Sequence, residues 1–140
     1  DTNFFSVFNL CQIFCKFLIK NRLTGSIVNI SSIVGKIGFN ELSVYASSKG
    51  AIDSLTKSLA TEMSENNIRV NSISPGFTKS SFYLKFKKKK KLFNWTLNRT
   101  PMKRWAETSE ISSVISFLIS EKSSYINGEN INVDGGWLSS

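Results

Sequence analysis

The apolar residues of this chain change period repeatedly, and that alternation limits the fold more than any other feature of the sequence. Phe4, Phe5, Val7, Phe8, Cys11, Phe14, Cys15 and Leu18 recur at three- and four-residue spacing. This predicts a helix over residues 3–21 with a wide apolar face. Thr24-Gly25 breaks it. Ser26-Ile27-Val28-Asn29-Ile30-Ser31 is a short β-branched run ending in small polar residues, which predicts a buried strand. Ile33 to Leu42, with Gly35 and Gly38, reads as a loop. Ile52, Leu55, Leu59 and Met63 form the stripe of a second helix over about 43–65, and Asn66-Asn67 is its stop. Ile68 to Ser74 is a second strand, ended by Pro75-Gly76. Phe77 to Arg104 has no clean period and reads as a long insertion. Thr108 or Ser109 can cap a third helix carrying Ile111, Val114, Ile115, Leu118 and Ile119. A last strand covers Asn130 to Val133, closed by Asp134-Gly135-Gly136.

Helices alternating with strands in this way imply an α/β fold: a parallel sheet, right-handed crossovers and helices on both faces. Three strands are few for such a sheet. One edge should be bare, at the place where further N-terminal strands would pair. The length of 140 residues fits one domain, and a 41% hydrophobic content can supply its core. The chain starts without Met and enters an apolar pattern at once, as expected of a piece of a longer chain. No apolar run approaches the length of a bilayer span, and no signal peptide is recognisable, so a soluble, cytoplasmic protein without membrane contact is expected.

The net charge of +8 suggests nucleic acid or an acidic surface as a partner. Its distribution argues against that. Lys85 and Lys87 to Lys91 supply six of the positive charges, and the rest of the chain is close to neutral. Cys11 and Cys15 lie four apart on one helix, a poor geometry for a disulfide. Two thiolates without any His are also too few for a closed zinc site, so both read as small core or interface residues and no metal is expected.

Tyr45-Ala46-Ser47-Ser48-Lys49 places Tyr and Lys one helical turn apart on a shared face. A free Tyr has a pKa of about 10. A nearby ammonium favours the phenolate and lowers that value, which is one way to build an acid/base residue in a chain that has no His. Ser32 follows a strand, at the end where active sites of open α/β sheets collect. A hydroxyl there could donate to a carbonyl oxygen and stabilise charge developing on it.

Three stretches together resemble the short-chain dehydrogenase/reductase family. The first is Gly25-Ser26-Ile27-Val28-Asn29-Ile30-Ser31-Ser32, with Tyr45-Ala46-Ser47-Ser48-Lys49-Gly50-Ala51 thirteen positions beyond Ser32. The second is Asn67-Ile68-Arg69-Val70-Asn71-Ser72-Ile73-Ser74-Pro75-Gly76, and the third is Ser124-Tyr125-Ile126-Asn127-Gly128 with Val133-Asp134-Gly135-Gly136. The resemblance implies the C-terminal, catalytic part of a Rossmann-type doubly wound sheet over residues 1–140, with 77–105 as a substrate-loop insertion. It implies an NAD(P)-dependent oxidoreductase acting on a small carbonyl compound or secondary alcohol. Tyr45 would be the acid/base, Lys49 would lower the Tyr45 pKa and hold the nicotinamide ribose, and Ser32 would orient the carbonyl. Thr2-Asn3-Phe4-Phe5-Ser6-Val7-Phe8 resembles the family's relay helix, which makes Asn3 a fourth catalytic candidate. Pro75, Gly76, Thr78 and Ser80 would meet the nicotinamide carboxamide.

The Gly-rich turn that holds the pyrophosphate in that family does not occur in these residues, nor does the residue that chooses NAD or NADP. The resemblance therefore implies that this polypeptide alone is inactive and binds the dinucleotide poorly. Phe82, Tyr83, Phe86, Phe93 and Trp95 would give the insertion an apolar inner face over the substrate. Arg99-Thr100-Pro101-Met102-Lys103-Arg104-Trp105 resembles gluconate-type dehydrogenases, and less closely ketoacyl-carrier-protein and tropinone reductases. On that basis an anionic substrate could pair with Arg99, Lys103 or Arg104. A competing reading is a lysine-rich module binding nucleic acid or an acidic surface, although no nucleic-acid motif accompanies the lysines. The family resemblance also implies a homo-oligomer for the complete enzyme.

Overall fold

The structure is a computed structural model that describes residues 3–140. In chain order it contains α1 (Phe5–Lys20), β1 (Gly25–Ile30), α2 (Ser43–Met63), β2 (Ile68–Pro75), α3 (Tyr83–Lys87), α4 (Lys90–Arg99), α5 (Thr108–Ile119) and β3 (Asn130–Val133). The strands form one parallel sheet in the order β1–β2–β3. Gly25 stands opposite Ile68 and Ile30 opposite Ile73, so the carboxyl ends of β1 and β2 emerge side by side. Among the described residues β1 has no strand on its other side.

Side chains alternate across each strand, so each face needs its own cover. On one face Ile27, Ile68 and Val70 pack with Cys11, Cys15 and Leu18 of α1 and with Leu59 and Ala60 of α2. Both thiols are free and buried. Burial raises their pKa values, helped at Cys11 by Cys15 and at Cys15 by Glu62. Asn29 joins α1, β1 and α2: it accepts from the Cys11 thiol at 3.5 Å and donates to the Thr56 hydroxyl at 3.0 Å. Asn67 ends the turn after α2 in the left-handed region at φ 55°, a conformation that Asn tolerates well.

On the other face α5 lies against β1 and β2. The Ser26 hydroxyl donates to the Leu118 carbonyl at 3.0 Å, and the Arg69 guanidinium to the Ser120 carbonyl at 3.1 Å. The crossovers β1–α2–β2 and β2–α5–β3 step in the same direction across the sheet but pass over opposite faces. They therefore have opposite hands, and one of them departs from the right-handed pattern that alternation implies. The cause is burial. With α1 and α2 on one face, Val28 and Ile73 on the other are covered only if α5 crosses there.

A second departure lies between β2 and α5. The segment without a period is helical, because α3 and α4 fold around Trp105, which is 1% exposed. The rings of Phe77, Phe82, Tyr83, Phe86 and Phe93 stand 5.0–5.9 Å from the Trp105 ring. Its indole N–H donates to the buried Thr96 hydroxyl at 2.8 Å. Lys85 and Lys87 to Lys91 lie on the exposed outside of this small aromatic core. Among the described residues no helix is long and apolar enough to cross a membrane.

The cap of α5 is Glu107, not the Thr108 or Ser109 expected from sequence. The Glu107 N–H donates to the Glu110 carboxylate at 2.8 Å, and Arg104 forks onto the same carboxylate with two bonds of 2.7 Å. The Arg104 hydrogen bonds, with the Glu107 N–H second, take the Glu110 pKa from its usual 4.5 to about 2. A depressed carboxylate pKa contributes stability above the ordinary value and loses it as pH falls through the folded one. An NMR titration of the Glu110 carboxyl should therefore give a midpoint near 2. A midpoint at the usual carboxylate value would mean that Arg104 does not hold it in solution.

Candidate active site

The ladder of β1 extends one residue beyond the strand, with the Ser31 N–H donating to the Ile73 carbonyl at 2.8 Å. Ser32 follows in extended backbone at φ −164° and caps the single turn Ile33–Gly35, its hydroxyl oxygen accepting from the Val34 N–H at 3.2 Å. That bond uses a lone pair and leaves the Ser32 proton to donate. The loop is then pressed onto α2. A Cβ at Gly35 would come within 2.9 Å of the Lys49 and Gly50 backbone, so only glycine permits this approach. The Ser31 hydroxyl donates to the Lys49 carbonyl at 3.1 Å and locks the same contact. The position of Ser32 relative to α2 is thus fixed by backbone packing on both sides.

Helix α2 starts at Ser43, so Tyr45 and Lys49 occupy its first two turns on one face. The Lys49 ammonium donates to the Ile30 carbonyl at 2.8 Å and stands 5.7 Å from the centroid of the Tyr45 ring. Burial of the ammonium lowers its pKa from the ordinary lysine value, with the Asp53 carboxylate opposing that shift. Beyond β2, the Thr78 hydroxyl donates to the Gly76 carbonyl at 3.2 Å. The Lys79 N–H donates to the Ala106 carbonyl and the Ala106 N–H to the Phe77 carbonyl, both at 2.9 Å, and Lys79 also pairs with Glu107. These bonds pin the segment after Pro75-Gly76 to the start of α5.

Ser32, Tyr45, Lys49, Pro75, Gly76, Thr78 and Ser80 line one cleft of about 920 Å³ at the carboxyl ends of β1 and β2. Asn3 is not among its lining residues. It borders a neighbouring hollow, and Glu41, Leu42 and Tyr45 border both. Phe82, Phe86 and Trp95 face the cleft, whereas Tyr83 and Phe93 are absent from its lining and pack on Trp105. Phe39, Leu42 and Leu92 also line it and were missed from sequence. Phe39 and Leu42 stand in the loop between Ser32 and Tyr45 beside the apolar Ile33, Val34, Ile37 and Val44, so nothing local singled them out.

The expected anion partners are not in the cleft. Arg99 donates to the Ser140 carbonyl at 2.8 Å and lies 5.5 Å over the Trp137 ring. Lys103 donates to the Asn98 carbonyl at 2.7 Å, and Arg104 is forked onto Glu110. Local structure claims each cation, so the expectation that they meet an anionic substrate is corrected.

The family model for enoyl-(acyl carrier protein) reductase matches residues 1–138. A chloroplastic tropinone reductase homolog of Arabidopsis thaliana is 42% identical over 136 residues, covering 97% of this chain and 42% of its own. A 4-hydroxyisoleucine dehydrogenase solved in complex with NADH matches with a TM-score of 0.95 at 34% identity, over 99% of this chain and 57% of its own. A gluconate 5-dehydrogenase from Burkholderia cenocepacia, solved with NADP and tartrate, matches with a TM-score of 0.93 at 30% identity, over 99% and 54% respectively. The chain spans about half the length of the relatives it matches.

Proposed function

The chain belongs to the short-chain dehydrogenase/reductase family, and from that membership we propose that it carries the catalytic groups of an NAD(P)-dependent oxidoreductase. The reaction is hydride exchange at a carbonyl or secondary alcohol, with the proton moving through Tyr45. The observation that supports this reading best is the convergence of Ser32, Tyr45 and Lys49 with the 75–80 turn on one cleft.

The donors present suit the nicotinamide end of a dinucleotide. The Lys49 ammonium has three N–H groups, of which the Ile30 carbonyl takes one. Hydroxyls at Tyr45 and Ser80 stand on the same cleft, with that of Thr78, whose proton goes to the Gly76 carbonyl and whose oxygen can accept. The chemistry a bound nicotinamide supplies is hydride exchange with the carbonyl carbon. In the direction of reduction, the Ser32 O–H donates to the carbonyl oxygen and orients it. Tyr45 gives its proton to that oxygen as negative charge develops. The Lys49 charge would stabilise the phenolate left behind, and its remaining N–H groups would hold the ribose hydroxyls of a bound dinucleotide. Asn3, in the hollow that shares Tyr45, helps return a proton from solvent. The dinucleotide is NAD or NADP, since the solved neighbours hold NADH in one case and NADP in the other. In this reading 77–105 is the substrate loop.

No Gly-rich turn for a pyrophosphate occurs in these 140 residues, so this chain by itself should bind NAD(P)H only weakly and show little activity. A fluorescence titration tests this, and micromolar affinity would contradict it. The complete protein is a homo-oligomer in the same reading, pairing through α1 and α2, where Phe5, Leu10, Ile13 and Phe17 of α1 and Val44 of α2 are exposed. Light scattering on the complete protein should give a multiple of the chain mass, and a monomer at working concentration would count against this pairing.

A further inference from the structure

Resting on the proposed hydride exchange, we propose that the substrate is an uncharged ketone or alcohol bearing a bulky apolar group. That group is held by Phe39, Leu42, Phe82, Phe86, Leu92 and Trp95. All six line the cleft that contains Ser32 and Tyr45. They come from three places in the chain: the loop before α2, the start and body of α3, and α4. Leu42, Phe82, Leu92 and Trp95 are 38%, 48%, 41% and 45% exposed. Large apolar side chains gathered around one concave site, with a few polar groups at its floor, are the composition of a small-molecule pocket. An apolar occupant is favoured by about 25 cal/mol for each Å² of such surface that it removes from water.

The charges decide against an acid. Among the described residues that line the cleft, Lys49 and Glu41 are the charged ones. Lys49 is engaged with the Ile30 carbonyl beside Tyr45, at the reacting end. Glu41 also lines the cleft, and its carboxylate repels an anion. Arg99, Lys103 and Arg104 are bound elsewhere, and Lys85 and Lys87 to Lys91 lie on the exposed outside of the aromatic core and do not line the cleft. A carboxylate entering among the six apolar side chains would lose water and gain no counter-ion. The wall is also preformed, because Trp95 is set edge-on against Phe39 at 6.3 Å and Trp137 at 5.5 Å.

The test uses the complete protein and two ketones of one skeleton, 4-(4-methylphenyl)butan-2-one and 4-(4-carboxyphenyl)butan-2-one. The methyl compound should show a KM lower by about tenfold or more, the scale set by one misplaced group in an apolar pocket. Leu92→Lys, at a side chain already 41% exposed, puts a cation on the wall and should narrow or reverse that ratio. Equal or tighter use of the carboxylate by the unaltered protein would overturn the proposal, as would an unchanged ratio in Leu92→Lys. Calorimetric titration with both ketones separates this claim from the reaction on which it rests. Preferential binding of the methyl compound without turnover would sink the hydride-exchange reading and support the preference. Turnover that favours the carboxylate would do the opposite.

Discussion

Replacing Tyr45 by Phe in the complete protein lowers kcat by about 10²–10⁴-fold, the range for losing a positioned acid/base group. The substitution removes one hydroxyl from a side chain that is 37% exposed, and its ring can keep its place near the Lys49 ammonium. Stability should stay within about 0.5 kcal/mol, as for surface changes that break no special contact. The substrate and dinucleotide KM values should change little, because the apolar wall and the 75–80 turn remain. A Tyr45→Phe protein that keeps more than about a tenth of its kcat would place the acid/base group elsewhere. Lys49→Met provides the contrast. It loses the bond to the Ile30 carbonyl as well as the charge, so both kcat and dinucleotide KM should suffer.

Trp105→Ala is expected to cost about 3–5 kcal/mol of folding stability, the range for truncating a large buried aromatic side chain. Trp105 is 1% exposed and is the one ring against which Phe77, Phe82, Tyr83, Phe86 and Phe93 all pack. Its removal also strips the buried Thr96 hydroxyl of a donor. Both α3 and α4 depend on this centre, and they carry Phe86, Leu92 and Trp95 to the cleft. Substrate KM should therefore rise more than dinucleotide KM, because the 75–80 turn is also held by its own backbone bonds to Ala106. Denaturant unfolding measures the stability. A loss under about 1 kcal/mol would show that the lid does not depend on this core.

What the sequence made legible was whatever a local period can encode. The elements α1, β1, α2, β2, α5 and β3 each carry a regular stripe or run, and they appear where the periods put them, apart from a residue or two at the ends. Tyr45 and Lys49 share a face because a helix alone guarantees it. The lid was not legible, since its core residue, Trp105, lies outside both of its helices. The buried position of α4 is Thr96, a polar residue that breaks any apolar stripe. The hand of the second crossover depends on which sheet face α1 and α2 leave bare, which is a tertiary fact. The same limit applies to Arg99, Lys103 and Arg104. A resemblance suggested that they meet a substrate, but their partners are a distant carbonyl and ring, a helix-end carbonyl and the capping Glu110 of α5. Gly35 is legible as a loop residue, whereas its contact with the Lys49 backbone is not.

The most direct measurement follows the hydrogen itself. The complete protein is given an apolar ketone and NADH or NADPH deuterated at both C4 positions of the nicotinamide, and the alcohol is analysed by mass spectrometry. A deuterium on the carbinol carbon, formed at a rate that collapses in Tyr45→Phe, is the expected result. An unlabelled alcohol, or label transfer that proceeds undiminished without the Tyr45 hydroxyl, would contradict the assignment of hydride exchange to this cleft.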